Sequence, residues 1–172
     1  MKIRTLIAQA VLWLFVFSSS IQMGGAVYEM LVVNPLWFGS PPESVTNWNP
    51  VPQFAIEPGR FWAVAVPFYM LSMLAILITA WFMPSPRRKW ALIAGVCTFA
   101  VILSTALFFV PILRETIMSR GAGLSAEEIT TKVNLWVNWN WLRMAAVFVG
   151  WLAGARALSL NHQSDVSSQR RT

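Results

Sequence analysis

Trp136, Asn140 and Arg143 stand at i, i+4 and i+7, so on a helix an aromatic wall, an amide and a guanidinium share one face. A guanidinium is a planar fork of donors suited to an anionic oxygen. Glu29 and Glu115 directly follow the first and third long apolar runs, and so sit at the same end as Arg143. There they could serve as its counter-ions, or as the acid or base of a reaction. Tyr28, Trp37, Arg60 and Trp62 fall at that end too and complete a candidate ligand pocket. Pro67 and Pro111 each remove a helical hydrogen bond, freeing the carbonyls of Ala63 and Leu107 and opening space nearby. A second reading of Arg143 stays open, in which its long side chain snorkels to the membrane surface.

Several other chemistries are excluded. The one histidine, His162, lies near the C-terminus, away from the apolar runs, so paired-histidine haem ligation and a His-rich metal centre have no residues to use. Neither G-x-x-x-x-G-K-S/T nor G-x-G-x-x-G occurs, which leaves nucleotide binding unsupported. Cys97, among Val96, Thr98 and Phe99, reads as packing. No metal and no cofactor are expected.

The elements that must position the pocket follow from composition. Of 172 residues, 56% are apolar and 12% charged, about half the charge of a soluble domain. Such a chain lives in a bilayer. A helix needs about 20 largely apolar residues to cross a ~30 Å hydrocarbon core. Uncharged runs of 24, 26 and 24 residues occupy 5–28, 61–86 and 90–113. The fourth run is interrupted: 23 residues separate Lys132 from Arg156, but Arg143 leaves only 144–155 uncharged, too short to span alone. With Arg143 accommodated, the reading is an all-α integral membrane antiparallel four-helix bundle with a Pro/Trp-rich outer loop. It forms one domain over 1–160, with spans about 5–28, 61–83, 90–113 and 139–158 and a disordered cytoplasmic tail at 161–172.

Charge then sets orientation. With both termini inside, Lys2, Arg4, Arg87, Arg88, Lys89, Arg156, Arg170 and Arg171 face the cytoplasm against the single acid Asp165, while six of the seven acids lie outside. The net +6 is therefore a topology signal, the positive-inside pattern of a multi-pass inner-membrane protein, and nucleic acid is not an expected partner. A rival reading takes the N-terminus, with Lys2, Arg4, an apolar run and Ser18-Ser-Ser20, as a cleaved signal peptide. Apolar character resuming through 21–33 favours retention.

The connections carry their own signals. Pro35, Pro41, Pro42, Pro50, Pro52 and Pro58 forbid a regular helix through the first outer loop, 33–59. Its aromatics Trp37, Phe38, Trp48 and Phe54 suit either a cap over the bundle mouth or an interfacial belt. Ser125-Ala-Glu-Glu128 is a capping box that starts a helix leading into the fourth span. Ala146, Gly150 and Gly154 form a small-residue stripe for close helix packing inside the bundle, with a homodimer as the alternative use.

Taken together, Gly25-Ala-Val-Tyr28-Glu, Val33-Asn-Pro35-x-Trp37, Ser40-Pro-Pro-Glu-Ser44, Gly59-Arg-Phe-Trp62, Phe108-Phe-Val-Pro111 and Trp136-x-x-x-Asn140-x-x-Arg143 resemble the small four-helix bacterial membrane proteins grouped distantly with anthrone oxygenase-like proteins. The resemblance implies a four-span membrane protein and, for the oxygenase relatives, cofactor-poor oxidation of a polycyclic phenol. Three functions compete: a protein binding a lipid or small apolar or aromatic ligand in an outer-leaflet pocket, a membrane-integral oxygenase-like enzyme, and a small transporter. The last is disfavoured by the lack of an internal repeat.

Overall fold

The computed structural model describes residues 2–47 and 58–169. Over them the chain is all-helical: α1 (Lys2–Tyr28), α2 (Asn34–Phe38), α3 (Glu43–Thr46), α4 (Pro58–Ala80), α5 (Ser85–Ser104), α6 (Val110–Leu113) and α7 (Ala126–Gln169). π turns at Glu29–Val33, Thr105–Phe109 and Arg114–Met118 weld the shorter pieces onto the longer ones. The result is four rods long and apolar enough to cross a membrane, Ile3–Phe38, Gly59–Ala80, Ser85–Met118 and Ala126–Leu160. Serine and threonine are tolerated inside them because their hydroxyls turn back onto carbonyls of the preceding turn, as Ser19 does to Phe15 (2.7 Å) and Thr79 to Ala75 (2.7 Å).

The rods close into a ring. α1 packs on α4 and α7, and α5 packs on α4 and α7, so each rod touches two antiparallel neighbours. The main core, around Leu12, Phe15, Tyr69, Ile76, Met83 and Ala94, fills the half near the chain termini. Small residues let the backbones approach. A Cβ on Gly150 would stand 3.3 Å from Cys97 Cβ, and one on Gly154 would stand 2.7 Å from the Phe15 ring. Gly150 thus faces α5 and Gly154 faces α1. Large apolar side chains such as Leu6, Trp13, Val64 and Leu71 point outward, where a bilayer would solvate them.

Three element boundaries differ from the sequence expectation. The first rod runs to Phe38, six residues into the segment read as loop, and the third runs to Met118 through Pro111. The first extension crosses Pro35, while Pro111 lies inside the expected third span, and one device accommodates both prolines. Pro35 and Pro111 each sit at the second position after a π turn, whose wider loop absorbs the missing N–H. α7 continues past Leu160 to Gln169, where neither glycine nor proline interrupts it. The capping box is present: Ser125 N–H donates to Glu128 Oε2 (2.7 Å) and Glu128 N–H to Ser125 Oγ (3.2 Å).

At the loop end a second cluster, Val33, Trp37, Val45, Ile117, Ile129 and Val133, caps the ring. Ser44 Oγ donates to the Trp37 carbonyl (2.8 Å) and ties α3 back onto α2. The turn into α7 requires left-handed backbone at Gly121 and Gly123, and Ile129 fills the space where a Cβ on Gly121 would lie. Trp48, Pro50, Pro52 and Phe54 lie outside the described residues. At the terminal end Arg88 donates to the Trp81 and Met83 carbonyls (3.0 and 3.1 Å), tying down the turn between α4 and α5.

Candidate functional site

Between the main core and the cap, the four rods enclose a cavity of about 750 Å³. α7 supplies Trp136 and Arg143, the first rod Gln22 and Glu29, α4 Trp62 and Tyr69, the third rod Thr105 and Phe109, and α2 places Trp37 over the top. Thr105 is 15 residues beyond Trp90, where the uncharged run of the third rod begins, about 23 Å along a helix. The cavity therefore lies toward the loop end of a ~30 Å hydrocarbon core that begins near Trp90.

Arg143 is fixed by aromatic faces. Its guanidinium carbon lies 4.3 Å from the centroid of Phe109 and 5.7 Å from that of Trp136, and Nη1 donates at 3.5 Å to Thr105 Oγ1. Trp136 is itself wedged between Phe38 (5.0 Å) and Phe109 (5.7 Å). Glu29, 8% exposed, opens the π turn of the first rod, and its Oε1 accepts a hydrogen bond from Trp62 Nε1 (3.3 Å). Arg143 and Glu29 thus line one cavity without joining in an ion pair. Below them, Tyr69 Oη pairs with Thr98 Oγ1 (3.0 Å), and Ser18 Oγ with Ser72 Oγ (2.7 Å), giving the floor a seam of buried hydroxyls. Two cavity-lining residues carry buried polar atoms with no protein partner, Gln22 Oε1 and Trp136 Nε1.

Of the residues singled out from sequence, the fold brings Glu29, Trp37, Trp62, Trp136 and Arg143 to the cavity. Tyr28, one residue before Glu29 and so about 100° round the helix, points outward at 55% exposure. Arg60 is exposed beside the cavity-lining Gly59. Glu115 is not a partner of Arg143: Lys132 Nζ, across the turn, holds its Oε2 at 2.7 Å. Asn140 is 2% exposed but does not line the cavity, and its Oδ1 has no partner. Gln22, Tyr69, Thr105 and Phe109 were not singled out. Two were accessible by spacing: Gln22 is seven residues before Glu29, and Tyr69 seven after Trp62, each on the same helix face.

Compared with known proteins, residues 60–153 match a family model described as Anthrone oxygenase. The matched stretch includes Trp62, Tyr69, Thr105, Phe109, Trp136 and Arg143, and leaves Glu29 and Trp37 outside it. Neither a curated protein nor a solved structure matches the chain.

Proposed function

The chain belongs to the anthrone oxygenase family, and from that premise we propose that its cavity binds a flat, largely apolar aromatic molecule whose ionisable oxygen is held by Arg143. The observation that carries this reading is the state of Arg143. An inward guanidinium at membrane depth is costly and is ordinarily paired. Here it is held by ring faces and one long hydrogen bond, with donors left over for an anionic oxygen. A volume of about 750 Å³ suits a three-ring molecule.

The family description favours a second step. Glu29 would remove a proton from the ring methylene of an anthrone, and Arg143 would hold the resulting anthrolate oxygen. Dioxygen would take up the electrons. One of its atoms becomes the new ring carbonyl and the other leaves as water with the two methylene hydrogens, so one dioxygen is consumed for each quinone formed. We further place the protein in the bacterial inner membrane with both termini cytoplasmic, on the charge asymmetry described above.

The test titrates 1,8-dihydroxyanthraquinone against the purified protein and follows quenching of the tryptophans that line the cavity. Arg143→Lys should weaken binding about ten-fold or more, because an ammonium cannot reproduce the planar fork. Binding equal to wild type would remove Arg143 as the anchor. Glu29→Gln should preserve binding of the quinone and abolish dioxygen uptake with an anthrone. Undiminished uptake would remove Glu29 as the base.

A further inference from the structure

The interior cavity has a neighbour. A second hollow, of about 500 Å³, lies in the seam between α5 and α7 and is lined by Ala100, Ser104, Trp139 and Leu142 among others. Ala100, Trp139 and Leu142 are exposed on the outside of the ring, so this hollow faces the bilayer. Val101, Phe109 and Arg143 line both spaces. One thin wall of three side chains therefore separates a lipid-facing hollow from the interior.

We propose that this seam is a lateral portal through which an apolar ligand passes between the bilayer and the cavity, with Phe109 and Arg143 as the movable wall. The proposal rests on the ligand-binding reading of the cavity. The chemistry of the hollow fits a molecule arriving from hydrocarbon. Apart from Arg143 and the indole of Trp139, its polar side chain is Ser104, whose hydroxyl is turned back onto the Val101 carbonyl (3.0 Å). The wall can also move. Phe109 stands on the π turn Thr105–Phe109, where the backbone is wound more loosely than an α-helix. Arg143 is held by two ring faces and a 3.5 Å hydrogen bond, so swinging it aside breaks no ion pair. At the loop end the cavity is lined by Arg120, a charged side chain that suits an apolar ligand less well than the hollow does.

The test is kinetic and uses the full chain in lipid vesicles. 1,8-dihydroxyanthraquinone is mixed in, and tryptophan quenching reports loading, with release followed by dilution into empty vesicles. Ala100→Phe fills the hollow from outside without touching the cavity. Ser104→Leu does so from the next turn, should the first variant fail to fold. Val96→Phe, one turn away on the exposed side of α5 and outside the hollow, is the control. Loading and release should both slow about ten-fold in the filled variants while affinity holds, because the obstruction raises the barrier and leaves both end states unchanged. The control should match wild type. Filled variants that fold, bind and exchange at the wild-type rate would overturn the portal and spare the cavity. A weakened affinity with unchanged loading would make the hollow part of the binding site and also overturn it. A wild-type protein that shows no quenching at equilibrium would overturn both readings, and that result is seen before any rate is measured.

Discussion

At the residue scale, the Trp136–Asn140–Arg143 face shows how far helical spacing carries. At 100° per residue, Asn140 lies about 40° to one side of Trp136 and Arg143 about 20° to the other. Arg143 and Trp136 have the length to reach a common cavity, whereas the short amide of Asn140 stops in the interhelical packing. Of the three residues on that face, Trp136 and Arg143 line the cavity and Asn140 does not. Asn140→Ala should leave quinone affinity within about two-fold, in contrast to Arg143→Lys, since only the latter removes a cavity group. A parallel loss in both would mean that Asn140 holds the ligand after all. Glu115 was misleading for another reason: spacing places it at the correct end of its rod but says nothing of Lys132, 17 residues later and beyond a turn. Both side chains of that pair are partly exposed, so Glu115→Gln should cost no more than about 1 kcal/mol and leave ligand binding unchanged. A denaturation series with a binding titration at each variant checks both statements.

At the scale of elements, the number of rods was legible because charges bracket them, and two of their ends were not: the first was expected to stop short of Pro35, and the third at the charge of Arg114. Pro35 and Pro111 follow π turns, and those turns carry Glu29, Thr105 and Phe109. Sequence spacing alone shows no π turn, since one residue of extra winding leaves no compositional trace. The two glycines of the small-residue stripe serve different neighbours, Gly150 meeting α5 and Gly154 meeting α1. Gly150→Leu should force the two backbones apart and cost about 1–3 kcal/mol, whereas Phe148→Leu, on the outward face, should be nearly neutral. Thermal melts in detergent measure the difference. Equal melting of the two variants would show that the Gly150 contact does not hold α7 against α5.

For the whole molecule, orientation is the property that charge predicts and packing does not. A reporter fused after Thr172 should report from the cytoplasm, and one inserted within 48–57 from the opposite side; a C-terminal fusion active outside would reverse the assignment. The ring itself has a consequence for the order of assembly. Three of its four seams join rods that follow one another in the chain, but the seam between α1 and α7 joins the first rod synthesised to the last. Until α7 emerges, α1 has α4 on one flank and nothing on the other. Phe15 then lacks the Gly154 surface, and Trp151 has not yet arrived to donate to Ser20 (3.0 Å). Glu29 likewise waits in lipid without the Arg143 charge that later shares its cavity. The nascent protein is thus a half-open cylinder with the Glu29 carboxyl and the Ser20 hydroxyl still without their α7 neighbours, the state in which membrane quality control would meet it. A chain truncated before α7 would keep that edge permanently.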